Sequence, residues 1–132
     1  METDIDLRSK SLCSFGENIV VTILEEQNWR ILEKNFRCIG SEIDIIATKG
    51  ETLAFVEVKT RLYKKKSRLI FEDLLTKRKR ASLKRGAITY ITKIIEEPQN
   101  HKTLRFDFAI VTLNMQKRIT SVTYIPDTLL FD

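Results

Sequence analysis

Cysteine, histidine, proline and glycine are all scarce in this chain, at two, one, two and four among 132 residues. Cys13 and Cys38 stand alone, with no second thiol or histidine at ligand spacing. That excludes a zinc-finger site, fits a reducing compartment, and leaves small apolar packing as the expected role of both. His101 sits in the polar stretch Glu96–Thr103 and reads as a surface-loop residue. Little Pro and Gly beside a 42% apolar share excludes disorder. No apolar run approaches the ~18 residues that span a bilayer, and the mixed stretch after Met1 has no signal-peptide core. The expectation is a soluble, cytoplasmic protein with no membrane partner. The length suits a single domain over residues 1–132, able to bury its core without disulfides. Met1–Leu12 lacks any period and reads as a flexible arm.

Negative charge is nearly absent from one long segment. Between Lys59 and Lys93 thirteen Lys and Arg face only Glu72 and Asp73, so this part carries +11 while the rest sums to −6. Such an excess is the electrostatic footprint of a polyphosphate partner, although a solvated helix face has the same composition. The candidate phosphate contacts are Arg61, Lys64, Lys65, Lys66, Lys77, Arg78, Lys79, Arg80 and Lys84.

Periodicity predicts five strands and two long helices, an α/β chain. Ser14 with Glu17 three residues on resembles a capping box opening a helix to about Gln27, with Ile19, Val20, Ile23 and Leu24 on its apolar stripe. Glu17 then falls in the first turn, where the helix dipole favours a carboxylate. Strands follow at Asn28–Cys38, with Ile39 adding apolar area, at Glu42–Ala47 and at Leu53–Arg61. After a basic loop at Leu62–Ser67 and a short turn within Arg68–Leu75, Thr76 is the predicted N-cap of a helix to Glu96, stopped by Pro98. Its expected buried stripe is Leu83, Ala87, Ile88, Tyr90, Ile91, Ile94 and Ile95. Strands at Thr103–Asn114 and Arg118–Ile125 and a docked tail of Leu129, Leu130 and Phe131 complete the chain.

Ser41–Arg61 carries the chemistry. Two β-branched and aromatic runs contain Glu42, Asp44, Glu57 and Lys59, residue types that strands disfavour and that are costly to bury unpaired. Alternation puts Glu42, Asp44 and Ile46 on one face of the first run, and Glu57, Lys59 and Arg61 on one face of the second. Asp44 and Glu57 become neighbours only if the hairpin loop has an even number of residues, as Lys49–Gly50 or Lys49–Thr52 would supply. The opposite face stays apolar and can accept a helix. Two adjacent carboxylates, with the Val58 carbonyl between them, match the oxygen ligands that Mg²⁺ or Mn²⁺ takes. Glu42, and Glu17 if the first helix docks over the strand ends, could hold a second ion or an outer water. Lys59, kept charged by the carboxylates, suits stabilisation of a pentacovalent phosphate better than proton abstraction.

Asp44 followed by Glu57-Val58-Lys59 resembles the D…E-x-K signature of the restriction-endonuclease-like, PD-(D/E)xK superfamily. More closely, G-E-N-I from Gly16, N-F-R-C-I-G-S-E-I-D-I-I-A from Asn35, F-V-E-V-K-T-R from Phe55, K-R-A-S-L-K-R-G-A-I-T-Y-I from Lys79 and R-F-D from Arg105 resemble the YraN-like bacterial family over about Phe15–Ile125. The resemblance implies a mixed β-sheet of about five strands flanked by helices, like that of Holliday-junction resolvases. It implies Glu17, Asp44, Glu57 and Lys59 as the active-site positions. The expected function is a Mg²⁺-dependent endonuclease acting on DNA, branched or damaged, with a homodimer as an option. The alternative is a nucleic-acid-binding module of the same fold without turnover.

Overall fold

A computed structural model of the chain describes residues 5–62, 75–94, 101, 103–114, 116 and 118–128. Expectations for Lys64, Lys65 and Lys66, for most of the turn before Leu75, for Ile95 and the stop at Pro98, and for the tail from Leu129 lie outside the described residues.

The elements run α1 (Ile5–Glu26), β1 (Arg30–Cys38), β2 (Ser41–Lys49), β3 (Thr52–Leu62), α2 (Lys77–Thr89), a π-helical turn (Tyr90–Ile94), β4 (Thr103–Leu113) and β5 (Ile119–Ile125). The strands form one mixed sheet in the order β1-β2-β3-β4-β5. All neighbours are antiparallel except β3 and β4, which are parallel and bracket α2 as a crossover. The α/β class and the five strands are those expected.

Helices cover both faces, so central strands β2, β3 and β4 read as near-continuous apolar runs. On one face Ile46, Leu53, Phe55, Phe106, Phe108 and Ile110 pack with Leu83 and Ala87 of α2 and Tyr90 of the π-helical turn. On the other, Ile45, Ala47, Ala54, Val56, Ala109 and Val111 pack with Val20 and Leu24 of α1. The apolar face thus accepts a helix as expected, but the charge-bearing face also carries a core and a helix. Its charged residues are confined to the strand ends beyond that core. Ile43 departs from strict alternation and joins the α2 side.

Several local expectations are corrected. Ser14 is not a cap: α1 begins by Ile5, because nothing between Ile5 and Ser14 is a proline or glycine that would stop it. Residues 5–12 therefore belong to a helix, not an arm, and Glu17 lies mid-helix. Ile39 is 96% exposed in the β1–β2 turn, and Ile88 is 57% exposed on the outer side of α2. Cys13 is exposed and unpaired with any core. Thr76, by contrast, is the N-cap, its hydroxyl accepting from the Lys79 amide at 3.2 Å.

The β2–β3 loop has two residues, Gly50 and Glu51, since Lys49 pairs with Thr52. The even length is as required, although the turn sits one residue later than Lys49–Gly50. Gly50 supplies the positive φ of +60° with which such a hairpin opens.

Two glycines set how closely the helices approach the site. A Cβ at Gly86 would collide with Ser41 Oγ and come within 2.9 Å of Ile43 Cδ1. A Cβ at Gly16 would collide with Thr60 Oγ1 and lie 3.0 Å from Thr60 Cβ, so α1 rests directly on β3 beside Glu17. Gly→Ala inside a helix ordinarily stabilises by about 1 kcal/mol. Gly16→Ala should instead destabilise by about 1–3 kcal/mol through overpacking, read from the midpoint of urea unfolding. A midpoint at or above wild type would show that α1 stands off the sheet.

Candidate functional site

The acidic residues meet where β2 and β3 part. Registered pairing ends at Ile45↔Val56, and one further step sets Asp44 across from Glu57. There the Val58 amide donates to Asp44 Oδ2 at 2.8 Å. A strand residue presents its N–H and C=O on the same edge, so the Val58 carbonyl shares the side on which its amide meets Asp44.

The surroundings of these carboxyls oppose ionisation. Burial, then the nearby Asp44, push Glu57 up from 4.5 to about 7, against the pull of Lys79. Asp44 is also raised, by burial first, while the Val58 amide, Glu57 and Lys79 work the other way. The contact between the two carboxyls acts in opposite directions, raising Glu57 and lowering Asp44. Glu17 reaches the same cluster from α1. Burial and the charge of Asp44 raise it, and a hydrogen bond with Asn35 counteracts them. Glu42 is exposed and lies 3.6 Å from Arg37 Nε.

Lys79 faces the Asp44–Glu57 pair from a direction that strand parity does not reveal. Lys79 Nζ lies 2.8 Å from Glu57 Oε2, with the two side chains 38% and 14% exposed. Burial works against the Lys79 charge, but Glu57, Asp44 and Glu42 together outweigh it and raise its pKa. Lys59 is on the Glu57 face, as expected, yet exposed to solvent. The counter-charge on Glu57 thus comes from the helix. Lys79 lies four residues before Leu83 and extends the buried stripe of α2 by one turn, which is the sequence signal that would have found it.

Glu57 Oε1 is buried without a hydrogen-bond donor among the described residues. No set of three or more acidic, histidine or cysteine side chains among the described residues converges as a metal cage. Mg²⁺ does not require one, since it usually binds through one or two carboxylates and keeps several waters. Side-by-side carboxyls with an unsatisfied buried oxygen fit such an ion.

Beside this centre lies a cleft of about 480 Å³ lined by Gly40, Thr76, Arg78, Lys79, Ser82 and Arg85. Ser82 Oγ and Arg85 Nη2 both donate to the Gly40 carbonyl, at 3.0 and 3.2 Å, fastening the β1–β2 turn to α2. Arg85 adds a cation that is not among the candidate phosphate contacts named from the sequence. Of that set, Lys77, Arg78 and Arg80 are exposed, Lys84 is half-buried, and Arg61 is held by Thr112 Oγ1 at 3.3 Å. The first turn of α2 has no acidic residue.

His101 is half-buried, with Nε2 3.0 Å from Thr48 Oγ1. Thr48 Oγ1 gives its proton to the Thr52 carbonyl at 3.0 Å, so the imidazole donates. It is a structural contact at the hairpin end of the sheet, not a free loop residue. No helix among the described residues is long and apolar enough to cross a membrane.

The fold and site define an α/β protein whose mixed sheet, at the parting of two central strands, carries a carboxylate pair faced by a helical lysine. The chain belongs to the Uncharacterised protein family UPF0102, whose model matches residues 16–111, in agreement with the YraN-like resemblance. It is 36% identical over 123 residues to a UPF0102 protein of Geobacter metallireducens, covering 93% of this chain and 95% of that one. A UPF0102 protein of Moorella thermoacetica is 35% identical over 113 residues, covering 83% and 88%. One of Alkaliphilus metalliredigens is 39% identical over 111 residues, covering 84% and 93%.

Proposed function

We propose that this protein is a divalent-metal-dependent endonuclease that hydrolyses phosphodiester bonds of DNA, branched or damaged DNA being the expected substrate. The observation that carries this reading is the Asp44–Glu57 pair. Two carboxyls are held together at the cost of ionisation, one buried oxygen lacks a donor, and a basic cleft adjoins them. Asp44, Glu57 and the Val58 carbonyl would hold Mg²⁺ or Mn²⁺, with Glu17 and Glu42 as outer acceptors. The chemistry such an ion supplies is neutralisation of phosphate charge and a more acidic water. The chain's own residues supply binding and orientation. Arg78 and Arg85 line the cleft beside the carboxyls, and exposed Lys77 and Arg80 extend the positive surface along α2. Lys59, exposed on the Glu57 face, is free to meet the phosphate as charge builds on it.

Flap, junction, single-stranded and duplex DNA incubated with the protein and Mg²⁺ or Mn²⁺ should be cut on at least one structure, and Asp44→Ala and Glu57→Ala should abolish the cut. Cleavage that survives in Glu57→Ala would be a contaminant's. Binding should weaken steeply between 50 and 200 mM salt, by about 10³-fold or more if six or more cations meet phosphate. Tight, salt-sensitive binding without any metal effect would instead identify a binding module of the same fold.

A further inference from the structure

Lys79 occupies two places at once. Its ammonium is 2.8 Å from Glu57 Oε2, inside the acidic centre, while its side chain also lines the cleft shared by Arg78 and Arg85. Its backbone is fixed, because the amide is held by the Thr76 cap. Only the flexible four-carbon side chain can move. A divalent cation taking the Glu57 carboxylate would meet a like charge at contact distance, and the adjoining cleft offers the displaced ammonium an open position.

We infer that Lys79 is the resident counter-ion of the acidic centre, paired with Glu57 until a divalent cation binds and then displaced into the cleft, where it meets a substrate phosphate. This role rests on the metal-dependent reading above. Glu57 is then neutralised by its own lysine at rest, and cation binding exchanges one positive partner of Glu57 for another while adding a phosphate contact. A lysine suits the exchange better than an arginine, whose planar fork locks onto a carboxylate with two parallel bonds.

The test is calorimetric titration of Mn²⁺ at pH 9 into the wild type, Lys79→Met, Lys79→Arg and Asp44→Ala, each checked for cooperative melting. Removing a competing charge in contact with the carboxylate should tighten Mn²⁺ binding in K79M by at least about tenfold. K79R should bind no more tightly than wild type. In parallel, acylation of lysine amines followed by mass spectrometry should show Lys79 protected without metal and several-fold more reactive with saturating Mn²⁺, with Lys77 and Lys84 unchanged. Unaltered or weaker Mn²⁺ affinity in K79M, or unaltered Lys79 reactivity, overturns the counter-ion role while leaving the metal site standing. Absence of Mn²⁺ heat in the wild type overturns the metal-dependent reading itself, and this role with it.

Discussion

Asp107→Ala is expected to lower stability by about 3–5 kcal/mol, the loss typical of removing one member of a buried ion pair. Asp107 is 2% exposed and collects four donors. Arg105 reaches it with Nε at 3.0 Å and Nη2 at 2.8 Å, Tyr124 Oη at 2.6 Å, and the Asp127 amide at 3.0 Å. Alanine would strand all four, leaving the Arg105 guanidinium over the Trp29 ring, at 5.1 Å, without its carboxylate. The same clamp explains why burial and the Asp107 charge push Tyr124 far above an ordinary phenol. Asp107→Asn keeps the size and some acceptors and should lose less, about 1–3 kcal/mol. Chemical denaturation of both variants checks the ranking. An alanine loss under about 1 kcal/mol would mean that the cluster adds nothing beyond packing. Asp107 lies on the α1 face and Glu57 on the α2 face, so the R-F-D run is a structural brace tying β4, β5 and the chain after Pro126, not part of the acidic centre.

Glu57→Gln should match the wild type near pH 4.5 and exceed it by about 2–3 kcal/mol at pH 8.5 in EDTA. The folded-state value of Glu57 is raised to about 7 from 4.5, by burial and by Asp44. A raised carboxyl takes up its proton in the folded state first, so its contribution is most favourable below 4.5. That contribution is lost as pH climbs from 4.5 through 7, and is flat above. Asp44 and Glu17 shift in the same direction and steepen the fall. Comparing wild type with E57Q at each pH cancels the titration of groups remote from Glu57, while Asp44, which interacts with it, contributes to the gap. For a chain of this length the gap corresponds to roughly 6–12 °C in Tm. Saturating Mg²⁺ should close it by stabilising the wild type alone, because binding to the folded state adds stability by mass action. A gap that ignores pH would show that Glu57 ionises like a surface carboxyl.

The hairpin was the most legible part of the sequence, because side-chain parity is a two-valued property fixed by loop length. An even loop was required and a two-residue loop is present, so Asp44 and Glu57 are neighbours. Glu17 was legible only on the condition that the first helix docks over the strand ends, until the resemblance named its position. Its own neighbourhood misled, since Ser14 and Glu17 satisfy a capping pattern in the middle of a helix that continues to Ile5. Lys59 and Lys79 mark the other limit. Parity within β3 orders residues on one strand but says nothing of where a helix docks, and Lys79 looked like one of four cations in K-R-K-R. The docking depends on Gly86, where the lack of a Cβ lets α2 settle on Ser41 and Ile43, a steric match between distant residues. Asp107 had a readable signal. It alternates with Ala109 and Val111 on an apolar face, and a carboxylate there requires donors supplied by the same fold.

The strand order bears on how the chain acquires its structure. β1, β2 and β3 are consecutive antiparallel neighbours, so they can zip up from local turns. β3 and β4 pair in parallel only after the intervening α2 has crossed the sheet. Every carboxyl of the acidic centre lies before that crossover, and Lys79 lies within it. During synthesis the acidic half therefore emerges first and stays hydrated while the rest of the chain is made. Burial of Glu57 and arrival of its lysine are then one event, the docking of α2. The long-range step that closes the sheet is thus also the one that brings Glu57 its counter-charge.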